Sequence, residues 1–278
     1  MKVGFFLGFD YSGSTTERTL PGIIVDLYLM TRAVKMDKLF VITDIDKDPE
    51  QTVLLKALLE EVAEVPILSY IQTIKQQQSH ILFQDKNQIY QILQQHTLGA
   101  EHIFFYYTGH GSKGCLVLPN GELLSSLEIR SLLDGSNREI FAVVDCCHGD
   151  GLQLPYMMRE GRYKLRSHDF ILGRFVCLSS TTPEEESTTS RIGSQFTRDV
   201  SKYLQSKFRN LFQLSVLLPN AKISSSYPNL STIWNWVYGG TLSVTLCPDR
   251  TIRIQRYSAL KDLRSDEPSN FPTCRSTD

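Results

Sequence analysis

Residues 140–149, Ile-Phe-Ala-Val-Val-Asp-Cys-Cys-His-Gly, constrain the fold of this chain more than any other stretch. The apolar, β-branched half has no turn residue and reads as a buried strand. It stops abruptly on an acid, two thiols, an imidazole and a glycine. In an open α/β sheet, ligands sit where strands end at their carboxyl termini, because the loops there aim side chains into a crevice. A second strand ends in the same way: residues 103–107, Ile-Phe-Phe-Tyr-Tyr, run into Thr108-Gly109-His110-Gly111. Two neighbouring parallel strands with these ends would put an imidazole beside a thiol, a base beside a nucleophile.

The remaining pattern supports a parallel sheet. Residues 3–9 read as a first buried strand, closed by the polar turn from Asp10 to Ser14. From Pro21, taken as a first-turn residue, Ile23, Ile24, Leu27, Met30, Ala33 and Val34 recur at helical spacing. Residues 39–43 form a second strand and residues 51–62 a second amphipathic helix, while 66–83 is ambiguous. Ile89, Ile92 and Leu93 share one face of a helix over 86–96 that leads into the strand at Ile103. Strand and helix alternating at this period imply parallel pairing with right-handed crossovers.

After Gly111 a β-hairpin turns at Asn120-Gly121, and Ser126 resembles the cap of a helix carrying Leu127, Ile129, Leu132 and Leu133. Residues 149–169, with Arg159, Arg162, Lys164 and Arg166, read as a long exposed loop. A strand follows within 170–180, then a polar loop over 181–190 containing Glu184-Glu185-Glu186. Phe196, Val200, Tyr203 and Leu204 mark a helix, with a short one over 211–218. A hairpin pairs 241–246 with 251–255 around Pro248-Asp249, and from about residue 258 the composition suggests a frayed end. No repeat or low-complexity linker divides residues 1–278, so one domain is expected.

The chain has 278 residues, 41% hydrophobic and 21% charged, with a formal net charge of −1. That balance gives no global field toward nucleic acid or an anionic membrane, and neither is expected as a partner. The six cysteines are scattered apart from the adjacent Cys146 and Cys147, which matches neither a zinc ribbon nor a disulfide framework. Reduced thiols in an intracellular compartment fit best, with the cytoplasm expected and the nucleus left open. The apolar N-terminal stretch meets Asp10 too soon for a signal peptide, and no run is long enough to span a bilayer.

A thiol becomes a strong nucleophile when an imidazole draws it toward thiolate, so Cys147 and His110 could cleave amide bonds without a metal. Gly109 and Gly111 clear space around the imidazole and leave a backbone N–H for an oxyanion. Thr-Gly-His-Gly-Ser after one strand, then Asp-Cys-Cys-His-Gly after a later one, resembles the caspase superfamily, and metacaspases more than animal caspases. The resemblance implies a caspase-like α/β sandwich, with a mostly parallel sheet of about six strands and helices on both faces. It implies Cys147 rather than Cys146 as nucleophile, His110 as general acid/base, and the N–H groups of Gly111 and Cys147 as oxyanion donors.

In metacaspases the acid two residues before the cysteine helps select Arg or Lys before the scissile bond; here it is Asp145. Thr108 holds the place of a hydroxyl that contributes to that pocket, and Asp10 is a candidate second carboxylate. Many members depend on calcium held partly by an acid in a Leu-Asp-Leu-Pro context, where this chain has Leu152-Gln153-Leu154-Pro155. An amide lacks the charge of a tight hard-cation site, so activity without calcium, any other metal or a cofactor is expected. A site built from Cys146, Cys147, His148 and His110 is disfavoured because adjacent ligands chelate poorly.

The expected function is therefore a cysteine endopeptidase acting on protein or peptide substrates with basic residues, as a monomer rather than a dimer. The basic residues of 149–169 are self-cleavage candidates. The alternative is a catalytically idle caspase-like scaffold that works by binding partners. Cys146 is expected to face the core, His148 to be a loop residue, and Trp234 and Trp236 to anchor the C-terminal segment.

Overall fold

Strand periodicity divides the core into two layers. The computed structural model describes residues 1–45, 80–149, 151–159, 162–182, 184–187, 189–190, 192–205, 221–226, 240–246 and 252–258. The chain begins with β1 (Lys2–Gly8), α1 (Ile23–Ala33), β2 (Lys38–Thr43), β3 (His80–Leu82), α2 (Lys86–Thr97) and β4 (His102–Thr108). A small meander follows, of β5 (Gly111–Ser112), β6 (Cys115–Val117) and β7 (Leu123–Ser125), then α3 (Ser126–Leu133) and β8 (Glu139–Asp145). After a short 3-10 turn at Gly151–Gln153 come β9 (Tyr156–Arg159), β10 (Arg162–Leu165), β11 (Arg174–Ser179), β12 (Thr189–Ser190) and β13 (Gly193–Ser194). The described elements end with α4 (Gln195–Gln205), β14 (Lys222–Ser225), β15 (Gly240–Leu246) and β16 (Ile252–Ser258).

The main sheet has the order β10-β9-β14-β11-β8-β4-β1-β2-β3. Its run from β3 to β11 is parallel, and β14, β9 and β10 add antiparallel strands beyond β11. Phe6, Phe104, Tyr106, Phe141 and Val143 point to one face, where Ile23, Leu27 and Met30 of α1 and Val200, Tyr203 and Leu204 of α4 cover them. The intervening Phe5, Leu7, Phe105, Tyr107, Ala142 and Val144 point to the other, under Ile89 and Leu93 of α2 and Ile129 and Leu133 of α3. A side-chain period of two on the strands therefore feeds two helical layers, the expected sandwich.

Several local readings need correction. The helix expected from Pro21 begins at Ile23 with Gly22 at its N-cap, where a Cβ would lie 2.1 Å from the Ser190 carbonyl oxygen. The cap of α3 is Ser125, not Ser126: the Ser125 hydroxyl accepts the Glu128 amide while Glu128 returns to the Ser125 amide, a reciprocal capping box. The supposed loop over 149–169 contains the β9–β10 hairpin, whose first strand pairs with β14. Lys164 and Arg166 are exposed there. Short, charged edge strands have little apolar alternation to read. The hairpin at Asn120-Gly121 forms between β6 and β7, and the one in the tail forms between β15 and β16. The helices expected over 51–62 and 211–218, Trp234, Trp236 and the frayed end lie outside the described residues. Among the described residues no helix is long and apolar enough to cross a membrane.

Candidate active site

β4 and β8 are neighbours, and their last residues, Thr108 and Asp145, are register partners. Each motif residue follows two positions later, so level strand ends bring His110 and Cys147 to one rim. The approach is tight. A Cβ on Gly111 would lie 2.1 Å from the Cys147 carbonyl oxygen and 2.6 Å from the Cys146 sulfur, so this position admits only glycine without movement. A cavity of about 690 Å³ opens here, with Arg18, Thr108, His110, Asp145, Cys147 and Ser187 in its wall.

The imidazole is held at one ring nitrogen. His110 Nε2 lies 2.7 Å from the carbonyl oxygen of Arg18, which can only accept, so Nε2 carries a proton and Nδ1 is left to receive one. Gly111 begins the meander: Ser112 pairs with Cys115 across the Lys113-Gly114 turn, and the Val117 amide donates to the His110 carbonyl. Antiparallel alternation then turns the Gly111 N–H away from β6. Positive φ at Lys113 (44°) and Gly114 (78°) matches the left-handed turn that a two-residue hairpin requires.

Cys147 is half-buried; its thiol donates to the Ser187 carbonyl at 3.5 Å, and the Ser187 amide donates back to sulfur at 3.3 Å. The Thr181 hydroxyl pins the turn by donating to the Cys146 carbonyl at 2.8 Å and accepting the Gly149 amide at 2.8 Å. Cys146 itself faces the core, as its alternation with Asp145 and Cys147 requires, and burial pushes its thiol well above the ordinary range. His148 sits in the turn with φ 52°, its amide donating to the Glu185 carbonyl.

Asp145 is buried, with Thr197 donating to one carboxylate oxygen at 2.7 Å and Ser187 to the other at 3.3 Å. Tyr106 completes the chain by donating to Thr197 at 2.7 Å, because the single Thr197 proton is spent on Asp145. Desolvation raises the Asp145 pKa, and these hydroxyls counter it in part.

A second carboxylate lies close behind the wall, and it is Asp26 of α1 rather than Asp10. Asp26 accepts the Ser194 amide at 2.9 Å and the Thr108 hydroxyl at 3.3 Å. Burial first, and then the Asp145 charge, push it well above the usual carboxylate range. The signal was available in the sequence: Asp26 falls on the buried stripe between Ile23 and Met30, where an acid is out of place without a reason. Asp10 is placed elsewhere, accepting the Ser12 amide at 2.8 Å in a turn. Its own amide and that of Tyr11 donate to Asp44, whose pKa rises to about 6 through burial and the Asp10 charge. Among the described residues no group of three or more His, Cys, Asp or Glu is arranged to hold a metal ion.

The fold has known relatives. The chain is similar to caspase-1 from Spodoptera frugiperda, at 13% identity and a TM-score of 0.51, over 78% of this chain and 74% of that one. It is also similar to a protein from Geobacter sulfurreducens, at 11% identity and a TM-score of 0.51, over 81% of this chain and 92% of that one. At such identities the likeness is one of fold. No curated protein matches the chain significantly. Residues 8–221 match the caspase domain, peptidase family C14, and with most of its length inside that match the chain belongs to the caspase-domain family.

Proposed function

We propose that this chain is a cysteine endopeptidase of the metacaspase type, cutting after Arg or Lys through an acyl-enzyme on Cys147. The observation that carries the reading is the shared cavity, in which His110 and Cys147 stand at level strand ends with the buried carboxylate of Asp145 in the same wall. Nδ1 of His110 takes the thiol proton, and the sulfur attacks the substrate carbonyl carbon. The N–H groups of Gly111 and Cys147 receive the oxyanion, and collapse expels the amine with the proton from His110. Water, deprotonated by the same imidazole, then releases the acid and restores the thiol.

The carboxylate of Asp145, buried in the wall, favours a guanidinium or ammonium and repels an aspartate side chain, while Asp26 behind Thr108, its proton held by burial and by the Asp145 charge, is a second acid that a bound cation would draw toward the charged form. Independence from calcium is part of the proposal. The Gln153 carbonyl accepts the Arg130 guanidinium at 2.6 Å, and Arg130 also pairs with Asp169 at 3.1 Å, so a fixed cation already ties down the segment after the nucleophile.

Matched fluorogenic peptides ending in Arg, Lys or Asp, assayed with calcium or chelator, test each part. Cleavage after Arg or Lys that survives the chelator and disappears in Cys147→Ala is expected. Cleavage after Asp would refute the pocket, and a requirement for calcium would refute the role given to the Arg130 tether. A folded protein whose Cys147 ignores alkylating probes would favour the scaffold reading.

A further inference from the structure

Outside the dyad and the pocket, the most fully determined polar cluster is a pair of buried tyrosines under the His110 backbone. Tyr11, just after β1, and Tyr107, the penultimate residue of β4, are both 0% exposed. The His110 amide donates to the Tyr11 hydroxyl at 2.9 Å, and the Tyr107 hydroxyl donates to the His110 carbonyl at 2.6 Å. Tyr11 spends its own proton on the Val117 carbonyl at 2.6 Å. Each hydroxyl has one proton, so this assignment satisfies every group: Tyr11 accepts from His110 and donates to Val117, and Tyr107 donates to His110. The two oxygens are 3.0 Å apart, and the Tyr11 ring packs against the imidazole with centroids at 4.6 Å. A Cβ on Gly109 would lie 2.7 Å from both hydroxyls, so the glycine before His110 is the space that the pair occupies.

We infer that Tyr11 and Tyr107 are positioning residues for the reaction, clamping the His110 backbone at both its N–H and its C=O so that the imidazole is held in the cavity wall it shares with Cys147. The inference rests on the dyad reading above. The two contributions are unequal. Without the Tyr11 oxygen the half-buried His110 amide loses its acceptor, whereas without the Tyr107 hydroxyl the His110 carbonyl keeps the Val117 amide. Loss of Tyr11 therefore weakens the hold on the imidazole more than loss of Tyr107.

The test compares Tyr11→Phe, Tyr107→Phe and His110→Ala, each keeping Cys147 and Asp145. Two rates are measured per folded molecule: peptide turnover, resolved into kcat and KM, and alkylation of Cys147 by iodoacetamide, followed on the Cys147 peptide by mass spectrometry. For Tyr11→Phe, kcat is expected to fall about tenfold or more with KM unchanged, and alkylation to slow toward the His110→Ala rate. Tyr107→Phe is expected to fall between that variant and wild type. A purely structural role would lower the folded fraction and leave both normalised rates alone. Wild-type alkylation that depends on His110 but is unaltered in Tyr11→Phe overturns this inference alone. Wild-type alkylation no faster than that of His110→Ala overturns the dyad, and the inference with it.

Discussion

Gly111→Ala asks whether the contact between the two motifs governs catalysis. The added Cβ would sit 2.1 Å from the Cys147 carbonyl oxygen, 2.6 Å from the Cys146 sulfur and 3.0 Å from the Cys146 Cβ. The nearest of these is backbone and cannot swing away as a flexible side chain would. Relief requires roughly 1 Å of retreat of the His-Gly turn from the Cys-Cys turn, and a displacement of that size at a reacting pair costs on the order of 100-fold in rate. Overpacking also destabilises the fold by about 1–3 kcal/mol. Gly111 has no left-handed φ, so steric contact is the whole cause. Gly13→Ala is the control, because nothing lies within 4 Å of its added Cβ. The assay is kcat/KM for an Arg peptide, with thermal melting to set the folded fraction. A folded Gly111→Ala protein with turnover within a few-fold of wild type would refute the view that this approach sets the catalytic geometry.

Other perturbations separate the remaining roles. Asp145→Asn removes the buried charge in the wall and is expected to lower kcat/KM for Arg peptides by about 100-fold, because truncating one side of a buried ion pair costs about 2–5 kcal/mol. Equal activity on Arg peptides would sink the pocket assignment. Asp26→Asn keeps an oxygen for the Ser194 amide and presents an amide that the Thr108 hydroxyl can accept, so it should fold. With its pKa raised by burial, Asp26 holds its proton to higher pH in the folded chain than in the unfolded one. Wild-type stability therefore falls as pH rises from the ordinary carboxylate range through the raised folded value. Asp26→Asn should remove part of that fall, melting above wild type at neutral pH but not at pH 3, while Arg cleavage weakens. A variant that melts lower at both pH values contradicts this sign. Ser125→Ala breaks the capping box of α3 and should cost about 1 kcal/mol by denaturant titration without changing kcat.

Much of the fold was legible because the central strands are long, apolar and followed by helices with a clear stripe. Strands at 103–107 and 140–145 needed only their alternation and abrupt polar ends. The β9–β10 hairpin was illegible because its four-residue strands lie at the edge of the sheet and carry Arg159, Arg162 and Lys164. The cap of α3 is ambiguous in the sequence because Ser125 and Ser126 are both good cap residues, and only the reciprocal bond with Glu128 distinguishes them. In the site, His110, Cys147, Thr108 and Asp145 could be grouped from the sequence because each lies at or just past the end of a strand. Asp10 could not be told from Asp26 in that way, since one closes a strand and the other interrupts a helical stripe.

By itself the sequence singled out an acid, a thiol and an imidazole at the ends of two strands and indicated that those strands would be parallel, because strand period and residue type are local properties. Tertiary structure alone decided that β4 and β8 are neighbours ending level, and that α1 turns Asp26 toward Asp145. It also decided that Tyr11, nearly 100 residues from His110, supports its backbone. These are long-range pairings, settled by how the two buried faces of the sheet are covered, and short-range spacing carries no information about them.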